Sequence, residues 1–154
     1  MSDTERLIKL ATEAATNILK PLGFRFSFET ESYEDGILLM ISSPDARFLI
    51  GEDGDRLDDL QYLVNRLVQA AWEEAPRIRV DCDHYRERAE AKLLRRAHSR
   101  AERVLKTGKP LVMERLNAYH RRLVHNALAE IPGIITQSEE SESRFKRITI
   151  SRAE

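Results

Sequence analysis

The sequence predicts an α+β protein built of two small modules joined by one long helix. Three observations carry that prediction. Apolar residues repeat at helical spacing in four stretches and alternate, or run on continuously, in short stretches between them. A Gly51-Glu52-Asp53-Gly54 turn falls between two helical patterns. Charge changes sign after Cys82: residues 1–82 hold 9 Lys and Arg against 16 Asp and Glu, a net of -7, and residues 83–154 hold 16 against 10, a net of +6. The overall net of -1 hides this dipole, and 154 residues at 42% hydrophobic content suffice for two small cores.

Ser2 and Glu5 have capping-box spacing and open a first helix, with Leu7, Ala11, Ala14, Ala15 and Ile18 on one face. Pro21 and Gly23 end it. Phe24, Phe26 and Phe28 then alternate with polar residues as in a half-buried strand, and Glu34-Asp35-Gly36 turns it into a hairpin. The second arm, Ile37 to Ile41, is apolar throughout and belongs in the middle of a sheet. After Pro44, Ala46 to Ile50 forms one short helical turn. Asp55 is the expected N-cap of a full helix whose buried stripe is Leu57, Leu60, Val64, Leu67 and Ala71. Arg77 to Cys82 completes the first module, residues 1–82.

A long helix, residues 83–108, is expected to connect the modules, with Ala89, Leu93, Ala97, Ala101 and Val104 inward and Arg88, Arg95, Arg96, Arg100 and Arg103 outward. That arginine row reads either as a solvated face paired with Glu87, Glu90 and Glu102 or as a phosphate track. The second module, 109–154, holds a short extended piece at Leu111 to Met113, a helix capped by Asn117, and strands at Ile134 to Gln137 and Phe145 to Ser151.

Several classes of function are disfavoured. No apolar run approaches the ~20 residues of a membrane span, and the N-terminus is charged where a secretory signal is apolar, so a cytoplasmic protein without stable membrane insertion is expected. Cys82 is single and reads as a buried strand residue. His84, His98, His120 and His125 lack metal-ligand spacing, and neither a cofactor nor a metal is expected. Catalytic and phosphate-loop motifs are missing, so an enzyme would need an unfamiliar site, such as Glu114 with His120 or His125 as an acid and base pair.

Two motifs carry chemistry. Gly51 and Gly54 permit a tight turn and close approach of a sugar-phosphate backbone, and the helix behind them presents free N–H groups. The stretch Arg47 to Asn65, RFLIGEDGDRLDDLQYLVN, resembles the KH segment of the bacterial Jag/KhpB family, and the order helix-strand-strand-helix-helix-strand resembles a type II KH domain. Such loops commonly include a basic residue between the glycines, whereas here Glu52 and Asp53 stand there. Each carboxylate repels a nearby phosphate by about 1 kcal/mol. RNA clamping and a partner surface therefore both remain open for this loop.

Arg121 and His125 stand four apart on one helical face, at the margin of the stripe Leu116, Leu123, Val124, Ala127 and Leu128. A guanidinium there can hold a phosphate while the imidazole donates a second hydrogen bond or stacks on a base; local packing is the alternative. The segment from Lys109 to Leu116, this helix, and Arg144 to Ile150 together resemble the Arg-xxx-His domain that follows the KH domain in Jag/KhpB proteins. That resemblance covers residues 30 to 152, without the extra N-terminal domain of longer members. It implies binding of single-stranded RNA, with single-stranded DNA as the other polymer, and carries the roles of the defining pair onto Arg121 and His125. Arg122, Arg144, Lys146, Arg147 and Lys109 are the accompanying basic residues, and Phe145 is an aromatic on which a base could stack.

The expected function is that of a non-enzymatic, RNA-binding post-transcriptional regulator. The competing expectation, from the same resemblance, is a protein-interaction adaptor that pairs with a second small KH protein and works near the membrane-protein insertion machinery.

Overall fold

The computed structural model describes all 154 residues and divides into two compact units, Met1–Arg86 and Glu87–Glu154. The first unit runs α1 (Asp3–Leu19), β1 (Ser27–Tyr33), β2 (Gly36–Ser42), α2 (Ala46–Ile50), α3 (Asp55–Ala71) and β3 (Arg77–Cys82), the order expected of a type II KH domain. A capping box opens α1: the Ser2 hydroxyl accepts from the Glu5 N–H at 3.2 Å and the Glu5 carboxylate from the Ser2 N–H at 2.7 Å. β2 is the central strand, antiparallel to β1 across the Glu34-Asp35 turn and parallel to β3. Its position explains why Ile37, Leu39, Met40 and Ile41 are all buried. Leu7, Ala11 and Ala15 of α1 and Leu57, Leu60 and Val64 of α3 complete that core, in which Cys82 is also fully buried.

Three local expectations change. Phe24 and Phe26 precede β1 rather than lie in it, because Arg25 is tied by its N–H and guanidinium to the Asp45 carboxylate, at 3.1 and 3.0 Å. Gly54, not Asp55, is the N-cap of α3, while Asp55 turns back to accept from the Arg56 N–H at 2.7 Å. The buried stripe of α3 is Leu57, Leu60, Val64 and Val68, leaving Leu67 and Ala71 exposed. The cause is β3, an edge strand whose outer backbone groups need partners. The Gln61 side-chain oxygen accepts from the Val80 N–H at 2.9 Å, and the Asn65 amide both accepts from the Ile78 N–H at 3.0 Å and donates to its carbonyl at 2.7 Å. Bringing these two amides, one turn apart, against β3 rotates Val68 inward.

The second unit contains most of α4 (Tyr85–Thr107), then β4 (Leu111–Val112), α5 (Ala118–Ala129), β5 (Ile134–Ser138) and β6 (Ile148–Arg152), with β6 between β4 and β5 in an antiparallel sheet. The helix expected to be a connector is part of this unit's core: Leu93, Ala97, Ala101 and Val104 pack with Met113, Leu116, Val124, Leu128, Ile134, Ile148 and Ile150. Its alanines let other elements approach closely. β6 starts at Ile148 rather than Phe145, since the residues before it form a turn with a single bridge from Lys146 to Leu116. No helix is long and apolar enough to cross a membrane.

Replacing Asn65 with Ala strips both partners from Ile78 on a half-buried edge. The expected loss in urea unfolding is about 1–3 kcal/mol with an unchanged m-value; a wild-type midpoint would show that water replaces the amide without cost.

Candidate nucleic-acid interface

The second unit's site is built on the segment Met113 to Asn117. β6 and the turn before it hold its two ends: the Met113 N–H donates to the Ile148 carbonyl at 2.8 Å, and Leu116 exchanges N–H to carbonyl bonds with Lys146 at 2.9 and 3.0 Å. The Asn117 side chain then accepts from the His120 N–H at 2.8 Å and starts α5. One turn into α5, Arg121 reaches back. Its Nη1 donates to the Leu116 carbonyl at 2.6 Å and to the Arg144 carbonyl at 3.1 Å. A guanidinium carries five N–H donors, so Nε and Nη2 keep three with no partner in the chain.

His125 is placed differently from the expected phosphate donor. Its Nδ1 lies 2.6 Å from the Thr136 hydroxyl and its Nε2 2.9 Å from the Ser138 hydroxyl, both on β5. Both ring nitrogens are thereby occupied, and the imidazole pins α5 to the sheet. Partial burial, reinforced by the Arg121 charge, lowers its pKa below the ordinary value of 6.5, so the ring is neutral at neutral pH. Two hydroxyls suit a neutral ring in either tautomer, because each can donate or accept.

The basic residues divide into a near set and outliers. Arg144 and Lys146 meet Arg121 through backbone atoms, and the Arg144 side chain is exposed. Arg147 is exposed beside them, its N–H bonded to the Glu139 carboxylate at 2.9 Å. Arg122 projects from α5 into solvent. Lys109 lies in the loop after α4, where its N–H donates to the Thr107 hydroxyl. Phe145 is 49% exposed and takes no part in the core, which disposes of the packed-strand reading.

Gly51 and Gly54 lie in the first unit. Both have positive φ, 72° and 80°, and Asp53 between them is also left-handed at 52°. The room that these glycines save is filled by the chain itself. A Cβ on Gly51 would meet the Asp55 carboxylate at 2.2 Å and Arg56 Cγ at 2.7 Å, and one on Gly54 would meet the Tyr85 ring at 2.8 Å. Beside the turn is a cluster absent from the sequence reading: Phe48, 49% exposed, with Arg47 over its ring at 4.6 Å and the Arg56 guanidinium bonded to its carbonyl at 3.1 Å. Its signal was the Arg-Phe pair just before the turn.

The proposed acid and base pair fails on chemistry. Glu114 is shared by Arg96 at 2.6 Å and Arg100 at 2.9 Å. Desolvation pushes its carboxyl up, but hydrogen bonds from Arg100, its own backbone and Arg96 outweigh that and lower it to about 2. A general acid needs the opposite shift. The residues that spacing could not reveal are Thr136, Ser138 and the Leu116 carbonyl.

Residues 91–152 match the family model of the Arg-xxx-His domain. A protein named RNA-binding protein KhpB from Clostridium symbiosum is 33% identical over 125 residues, 81% of this chain and 56% of that one. A second of that name, from Lactiplantibacillus plantarum, is 27% identical over 135 residues, 88% of this chain and 42% of that one. The chain therefore spans about half the length of the curated relatives it matches.

An NMR titration should place the His125 imidazole below the ordinary histidine range. A depressed folded pKa means that its contribution to stability is complete above about pH 6.5 and is lost as pH falls through the folded value. Denaturation midpoints of wild type and His125→Gln should therefore converge on acidification; a histidine midpoint above 6.5 would contradict the buried, neutral ring.

Proposed function

Because the chain belongs to the Jag/KhpB family, we propose that it is a non-enzymatic RNA-binding regulator that takes single strands on its second unit in the cytoplasm. The observation that carries this reading is the divided role of Arg121. One guanidinium nitrogen is fixed by two backbone carbonyls, which orients the fork, and the remaining N–H groups are left for a phosphate. Arg122, Arg144, Lys146, Arg147 and the more distant Lys109 add charge, and exposed Phe145 offers a ring for base stacking. His125 acts by holding the helix that presents Arg121. RNA is favoured over DNA because both relatives are named as RNA-binding proteins.

For the first unit a partner surface is the better reading. Glu52 and Asp53 are exposed on the turn, its glycines serve the chain's own packing, and α3 exposes Tyr62, Leu63 and Leu67. A second small KH protein is the partner class in keeping with the family. In this reading, Glu52→Lys with Asp53→Lys leaves RNA affinity and its salt dependence unchanged; a gain of affinity would return the turn to the clamp role.

The main test is fluorescence anisotropy with a single-stranded RNA of about a dozen nucleotides across a salt series. Arg144→Ala, Lys146→Ala and Arg147→Ala together should weaken binding at every salt concentration. The slope of log K against log salt should become shallower by about 2 if all three meet phosphates. Equal affinity and slope would sink the site; cleavage of the strand would sink the non-enzymatic reading.

A further inference from the structure

α4 presents a row of arginines that the site above does not use. Arg95, Arg96, Ser99, Arg100 and Arg103 line a shallow open groove on the second unit. Arg96, Arg100 and Arg103 follow at i, i+4 and i+7, a span of about 10 Å along the helix. A solvated helix face of this kind is normally laced with carboxylates three or four residues away. Here no Asp or Glu stands at either spacing from any of the four arginines, and Arg96 faces Lys92 and Arg100 instead. Like charges at that spacing destabilise a helix, so the row is held against a cost.

One anion meets it. Glu114, from the segment before α5, gives one carboxylate oxygen to Arg96 and the other to Arg100. Two oxygens on one centre, each taken by a separate guanidinium, is also how the two free oxygens of a phosphodiester would be held. Arg95 and Arg103 have no ion-pair partner, which leaves the groove three charges in excess. The Glu114 carboxyl, lowered to about 2, stays ionised at any physiological pH.

We propose that this groove is a second phosphate-binding surface of the protein, and that Glu114 is an internal anion which a bound phosphate displaces from Arg96 and Arg100. The proposal rests on the single-strand-binding reading for its physiological ligand, a nucleic-acid backbone; a free polyphosphate is the other source of the same chemistry.

Two probes separate them: the RNA strand above and inorganic tripolyphosphate, each titrated against wild type, R95A/R103A, E114Q and the Arg144, Lys146 and Arg147 triple variant. Arg95 and Arg103 are exposed, so thermal melts should match wild type. R95A/R103A should bind RNA roughly tenfold more weakly at low salt, with a slope shallower by about 1.4 for two lost phosphate contacts. E114Q should bind RNA more tightly than wild type; equal or weaker binding overturns the displacement. RNA affinity unchanged in R95A/R103A but lost in the triple variant overturns the groove and leaves the first site standing. If wild type binds no RNA at any salt concentration, the single-strand reading falls and tripolyphosphate decides: binding that R95A/R103A loses keeps the groove as a site for free polyanions, and no such loss overturns it.

Discussion

The second unit depends on how the five residues Met113 to Asn117 satisfy their backbone between a two-residue strand and a helix. Such a crossing would leave polar groups unpaired next to a core that includes Met113 and Leu116, both at most 7% exposed. Lys146 pairs with Leu116 in both directions, Arg121 adds a second bond to the same carbonyl, and Asn117 turns its own side chain into a cap. The exposed ion pairs from Glu114 to Arg96 and Arg100 contribute about 0–1 kcal/mol each. Burial of Val124, Leu128, Ile148 or Ile150 contributes about 1.5–3 kcal/mol apiece. The core sets the stability and the polar contacts set the geometry.

It follows that the defining pair of the Arg-xxx-His domain has a double character. Arg121 and His125 are spaced to share a face, yet they bond in different directions, one to the carbonyls of Leu116 and Arg144 and the other to hydroxyls of β5. Both therefore orient α5. A variant that loses binding on their removal has lost geometry as well as charge, whereas Arg122, Arg144 and Arg147 extend into solvent and report charge more directly.

What was legible in the sequence was local. Caps at Ser2 and Asn117, the hairpin before Gly36, the apolar central strand and the order of elements all follow from neighbours within a few residues. The stripe of α3 did not, because helical spacing allows Leu67 as well as Val68 after Val64, and the choice is made by β3 more than ten residues downstream. The partners of His125 lie 11 and 13 residues away on a strand, and those of Glu114 lie 14 and 18 residues back on α4. No periodicity links such positions. The arginine row was visible, but only the tertiary position of Glu114 distinguishes a groove from a solvated face.

The amides of Gln61 and Asn65 have a further effect, on assembly. By occupying the outer hydrogen-bonding groups of Ile78 and the Val80 N–H, they close one border of the first sheet to any incoming strand. The opposite border, β1, carries Glu29 and Glu31 on exposed positions, and a strand approaching there meets two negative charges. Aggregation by edge-to-edge pairing is thus blocked chemically on one side and electrostatically on the other. Any protein that joins the first unit must dock through side chains on a helix face, so its specificity is written in surface shape and not in backbone register.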